Sequence, residues 1–98
     1  MHLEVQDKRE QLIRIMTENL AALRACLHLN QKQFAENIGV CRQTLIALEK
    51  NQNKMTWTMF LALVFMFELN EKTNRFLSFL EINPDDIRDM IKRGIQAG

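Results

Sequence analysis

The sequence predicts an all-α fold of five or six short helices. No stretch alternates at period two for long enough to make a strand, and apolar residues recur instead at spacings of three and four. Residues suited to helix ends punctuate those runs. A chain of 98 residues supports one modest core rather than two, and its 47% hydrophobic and 26% charged content is that of a globular domain.

The first helix carries Leu12, Met16, Leu20, Leu23 and Leu27 on one stripe, with Glu10, Arg14, Glu18 and Arg24 mostly elsewhere. The second spans Gln31 to Ile38. Asn30 is a good N-cap for it, and Gln33 is placed to reach back as in a capping box. The third runs from Arg42 to Lys50 and ends at Asn51, which tolerates the left-handed conformation that glycine usually fills after a helix. The fourth follows Thr56 and covers Trp57 to Leu69. The tail then divides into a short helix in EKTNRFLSFLEI and a clear one in NPDDIRDMIKRGI. In the latter Asn83 caps, Pro84 takes the first turn, Asp85 and Asp86 suit the positive end, and Lys92 and Arg93 lie near the negative end.

Composition excludes several functions. The opening MHLEVQDKRE has no apolar secretion core, and the apolar run Met59–Phe67 falls short of the roughly 18 residues that a membrane span requires. A soluble cytoplasmic protein is expected. Cys26 and Cys41 form no paired metal spacing, and His2 and His28 stand apart from other ligands, so no metal site is expected. No nucleophile–base set, paired carboxylate constellation or phosphate loop appears, so an enzyme is not expected. Charge is uneven: residues 24–54 carry Arg24, Lys32, Arg42, Lys50 and Lys54 against Glu36 and Glu49, whereas residues 55–89 are net acidic. Only one region therefore suits a polyanion.

That basic region contains the most informative stretch, NQKQFAENIGVCRQTLIALEK. Apolar side chains fall at Phe34, Ile38, Val40, Leu45 and Leu48, Ala35 is small where two helices must cross closely, and Gly39 stands where a sharp turn needs positive φ. Gly39 ends one helix so that Val40 enters the core and the next helix leaves in a new direction. This is a helix-turn-helix arrangement, whose second helix buries Leu45 and Leu48 and offers its N-terminus to a major groove.

With LAALR, LNQKQFAENIGV, RQTLIALE and the spacing of Phe60, Leu63, Val64 and Phe67, the stretch from about Met16 to Asn70 resembles the lambda repressor and Cro-type (XRE-like) helix-turn-helix regulators. The resemblance implies a lambda-repressor-like domain over residues 1–70, centred on 31–50, that binds operator DNA, often as a dimer, without cofactor or catalysis. It implies base reading by Arg42, Gln43, Thr44 and Ala47. Phosphate contacts fall to Gln31, Lys50, Asn53 and Lys54, and Arg24 and Glu49 match a partly buried ion pair joining the first helix to the third. The chemistry suits those roles. Glutamine pairs bidentately with adenine, arginine with guanine or a phosphate, and threonine offers a hydroxyl and a methyl.

The chain also departs from the family pattern. Cys41 stands where serine or threonine usually caps the reading helix, and a thiol at a helix N-terminus, where its pKa is lowered, suits a redox-sensitive site. Ile46 and Ala47 are apolar where polar residues are common. They suit thymine methyls or, alternatively, a protein partner. In the fourth helix, Trp57, Leu61, Phe65 and Met66 are apolar on the side opposite the core residues, and a helix apolar all round must be covered on both sides. The cover is either the extension at 71–98, through Phe76, Leu77, Phe79, Leu80, Ile87, Met90 and Ile91, or a second subunit. A homodimer interface of Trp57, Leu61, Phe65, Met66, Phe76, Phe79 and Leu80 is the preferred reading.

The expected function is a DNA-binding transcriptional repressor, homodimeric on a palindromic operator, with double-stranded DNA as partner. Two alternatives stay open: an antitoxin that binds a toxin through its C-terminal region, and a protein-interaction module without DNA binding.

Overall fold

The computed structural model describes residues 2–97, with side chains from Val5 onward. Six helices follow in order: α1 (His2–Cys26), α2 (Gln31–Ile38), α3 (Arg42–Glu49), α4 (Trp57–Glu68), α5 (Glu71–Phe79) and α6 (Pro84–Ala97). None of the described residues forms a strand. No helix among them is long and apolar enough to cross a membrane.

The core is built on α1 and α4. From α1, Leu12, Met16, Leu20 and Leu23 are buried, and from α4 Phe60, Leu63, Val64 and Phe67. Phe34 of α2 stacks on Phe67 with ring centroids 5.6 Å apart, which fastens α2 to α4. Burying side chains of this size contributes roughly 1.5–3 kcal/mol each. α4 packs against α1, α2, α5 and α6, so its apolar composition reflects a central position. Leu77, Ile82 and Ile87 of the tail join the same core. Thr73 is fully buried, and its hydroxyl donates to the Phe67 and Asn70 carbonyls at the α4–α5 corner.

Three helices end by the same device. After α2, the Val40 N–H donates to the Ala35 carbonyl and the Gly39 N–H to Glu36; Gln52 and Asn51 repeat this after α3, and Ile82 and Glu81 after α5. In each case one residue is left-handed: Gly39 (φ 77°), Asn51 (57°) and Glu81 (61°). This is the Schellman closure, which satisfies the last carbonyls and redirects the chain. At α5 it drives Ile82 into the core, and at α2 it half-buries Val40 against the core.

A Cβ at Gly39 would meet nothing within 4 Å, so an alanine there adds backbone strain without a clash. Gly39→Ala is therefore expected to lower the unfolding free energy by about 1–2 kcal/mol, read from urea denaturation. An unchanged midpoint would mean that the turn relaxes out of the left-handed region.

Candidate nucleic-acid interface

The starts of α2 and α3 are each set by the residues at their N-caps. Asn30 and Gln33 form the reciprocal capping box at α2: Asn30 Oδ1 accepts from the Gln33 N–H at 2.8 Å, and Gln33 Oε1 accepts from the Asn30 N–H at 3.0 Å. At α3, Cys41 holds the N-cap position with extended backbone but makes no side-chain cap bond. Its thiol instead lies 3.1 Å from the Thr44 hydroxyl. That hydroxyl, followed by the Thr44 N–H, holds the exposed Cys41 thiol below the ordinary cysteine pKa.

α3 buries Leu45 and Leu48, which directs Gln43, Ile46, Ala47 and Lys50 to the opposite face. Arg42, Gln43 and Lys50 are exposed, whereas Thr44, Ile46 and Ala47 are half-buried. With its hydroxyl turned to Cys41, Thr44 leaves its methyl as the freer group.

The far end of α3 is tied to the rest of the chain. Arg24 Nε donates to Glu49 Oε2 at 2.7 Å and Nη2 to Oε1 at 3.2 Å, while Nη1 holds the Leu29 carbonyl at 3.1 Å. The Glu49 side chain is only 7% exposed and that of Arg24 18%. Gln31 Nε2 also donates to Glu49 Oε1, at 3.0 Å. One carboxylate therefore joins α1, α2 and α3. The family resemblance implies the Arg24–Glu49 pair but gives Gln31 as a phosphate contact, and no local spacing signals its bond to Glu49, 18 positions away on another helix.

The loop residues Lys50, Asn53 and Lys54 are exposed. Lys54 Nζ reaches Glu10 Oε1 only at 3.7 Å, with both side chains largely in solvent. The structure thus brings Gln31, Arg42, Gln43, Ala47 and Lys50 around α3 and its two ends, and places Asn53 and Lys54 farther along the loop.

The predicted interface residues of α4 and the tail divide. Leu61, Met66, Phe76 and Leu80 are half-buried against the core, so the tail does part of the covering. Trp57 is also engaged by its own chain, stacked on Phe60 and covered by Arg9. Phe65 and Phe79 remain 63% and 83% exposed, and Leu69 and Ile95, absent from the sequence prediction, are 72% and 74% exposed. Leu69 was legible as the next step of the 61–65–69 stripe. Among the described residues no group of three or more His, Cys, Asp or Glu could hold a metal ion.

Comparisons with family models, curated proteins and solved structures return no match for this chain.

The three-helix tie has a measurable consequence. Glu49→Ala strands the part-buried Arg24 and Gln31 donors and is expected to lower unfolding stability by about 2 kcal/mol. In a double-mutant cycle with Arg24→Ala, a coupling under about 0.5 kcal/mol would place the pair among ordinary surface ion pairs.

Proposed function

We propose that this chain is a sequence-specific DNA-binding transcriptional regulator, a repressor that reads a two-fold symmetric operator as a homodimer through a helix-turn-helix made of α2 and α3. The observation that carries the reading is the exposure of Arg42 and Gln43 at the start of a helix whose inner face is buried and whose far end is anchored at Glu49. A reading element has to be rigid and presented outward, and α3 meets both requirements.

In this reading Gln43 pairs with adenine N6/N7, and Arg42 with guanine O6/N7 or a phosphate. The Thr44 and Ala47 methyls lie toward thymine methyls. Gln31, Lys50, Asn53 and Lys54 contact the backbone. The second copy covers the apolar surface that includes Phe65 and Phe79, and two-fold symmetry sets the two reading helices about 34 Å apart. Two free thiols suit a reducing compartment such as the cytoplasm.

A second reading, favoured by the same exposed Phe65 and Phe79, gives that surface to a different protein, as an antitoxin gives its C-terminal region to a toxin. A monomer mass at micromolar concentration, with DNA binding intact, would favour it over the homodimer.

Selection of bound duplexes from a random pool is expected to recover an inverted repeat. On that repeat Gln43→Ala is expected to weaken binding by about 1–3 kcal/mol and to relax preference at one base pair per half-site. Recovery of no common sequence, or a Gln43→Ala variant with the parent's preferences, would remove α3 from the reading role.

A further inference from the structure

α1 is 25 residues long, and its buried spine begins only at Leu12. In the turn before Leu12, Arg9 lies over the start of α4. There the Arg9 guanidinium carbon sits 5.1 Å from the centre of the Trp57 ring, and Trp57 in turn stacks on the fully buried Phe60 with centroids 4.8 Å apart. The platform under Arg9 is therefore fixed to the core. A guanidinium held over a ring keeps the N–H donors of its two terminal nitrogens for an acceptor. Among the described residues Arg9 has no carboxylate partner, and its buried Nε has no hydrogen-bond partner.

A cleft of about 270 Å³ opens at this point, with Gln6, Arg9, Lys54, Thr56 and Trp57 in its wall. Thr56 Oγ1 accepts from the Met59 N–H, so its own proton is available to a ligand. Glu10 also lines the cleft, 3.7 Å from Lys54 and largely in solvent, so two cations face one carboxylate there. A larger cleft of about 630 Å³ shares Glu10, Ile13, Lys54 and Met55 with the first and adds Arg14 and Lys50. The two make one groove between α1 and the loop after α3, along which Lys50, Arg14, Lys54 and Arg9 are the cations. Of the two further carboxylates that line the larger cleft, Glu49 is already bound by Arg24, whereas Glu18 is exposed and offsets one of these cations.

We propose that Arg9, held on Trp57, and Lys54 form a phosphate-group site at the junction of α1 and α4, which extends the DNA-backbone contact along this groove to the first half of α1. A planar guanidinium fork suits two phosphate oxygens, and Lys54 supplies a second positive charge. Arg9 lies outside the stretch that resembles the helix-turn-helix family. The inference rests on the DNA reading for the source of the phosphate, whereas the phosphate chemistry rests on the cleft alone.

Trp57 is the single tryptophan of the chain, so its fluorescence reports on the site directly. The protein is titrated with inorganic phosphate and with a 20-base-pair duplex of mixed sequence, with sodium chloride of equal ionic strength as control. Saturable changes in Trp57 emission are expected with phosphate and duplex but not with chloride, and Arg9→Gln is expected to abolish both. The same variant is expected to weaken duplex binding for all sequences alike and to reduce the slope of log K against log salt by about 1. Arg9→Lys is expected to restore most of that slope, and unchanged far-ultraviolet circular dichroism verifies that both variants fold. Binding of duplex with silent Trp57 emission and an unaltered slope in Arg9→Gln would overturn the site while leaving the DNA reading intact. A phosphate response without duplex binding would keep the site, assign it to free phosphate and overturn the DNA reading. No response to either would overturn the site.

Discussion

α3 is held at both ends, and the arrangement of the surface around it depends on that. At its start, the left-handed Gly39 closes α2 and turns the chain through the half-buried Val40. At its finish, the Glu49 carboxylate accepts hydrogen bonds from Arg24 and Gln31 and so joins three helices at one point. Leu45 and Leu48 fill the space between these two fixtures. An eight-residue helix is marginal by itself. What defines its outward face is the anchoring at its ends and along its inner side. The same carboxylate fixes Gln31 at the start of α2, so the beginning of α2 is set relative to the end of α3.

The elements that were easiest to read are those whose signals are local. Asn30 with Gln33, Gly39, Asn51 and Asn83 each act within four residues of the helix end they control, and their caps and turns occur where the sequence puts them. The stripes on α1 and α3 were legible for the same reason. Long-range choices were less visible. Glu81 in a left-handed turn, Thr73 bonded to two carbonyls and Met55 buried in a loop have no periodic signature, because each is imposed by packing of distant segments. The Arg9–Trp57 stack belongs to the same class: the two residues are 48 positions apart in sequence, and neither alone announces the other.

α4 illustrates how an apolar helix divides its surface. Phe60, Leu63, Val64 and Phe67 meet α1 and α2, and the tail returns to bury Leu77, Ile82 and Ile87 against the same core. Arg88 clamps the tail by donating to both oxygens of Glu68, at 2.6 and 2.8 Å. The covering is incomplete, since Phe65, Leu69 and Phe79 remain open. Exposed aromatic surface of this kind on a small domain is the usual mark of association. It lies on elements other than α3, so association through it and the proposed use of the outward face of α3 need not compete for the same residues.

In the proposed function the outward face of α3 is what meets DNA. Amide chemical-shift mapping during titration with a selected duplex tests it most directly. The largest shifts are expected at Gln31, Arg42, Gln43, Thr44, Ala47 and Lys50. Shifts confined to Phe65, Leu69 and Phe79, or none at any ratio of duplex to protein, would contradict it.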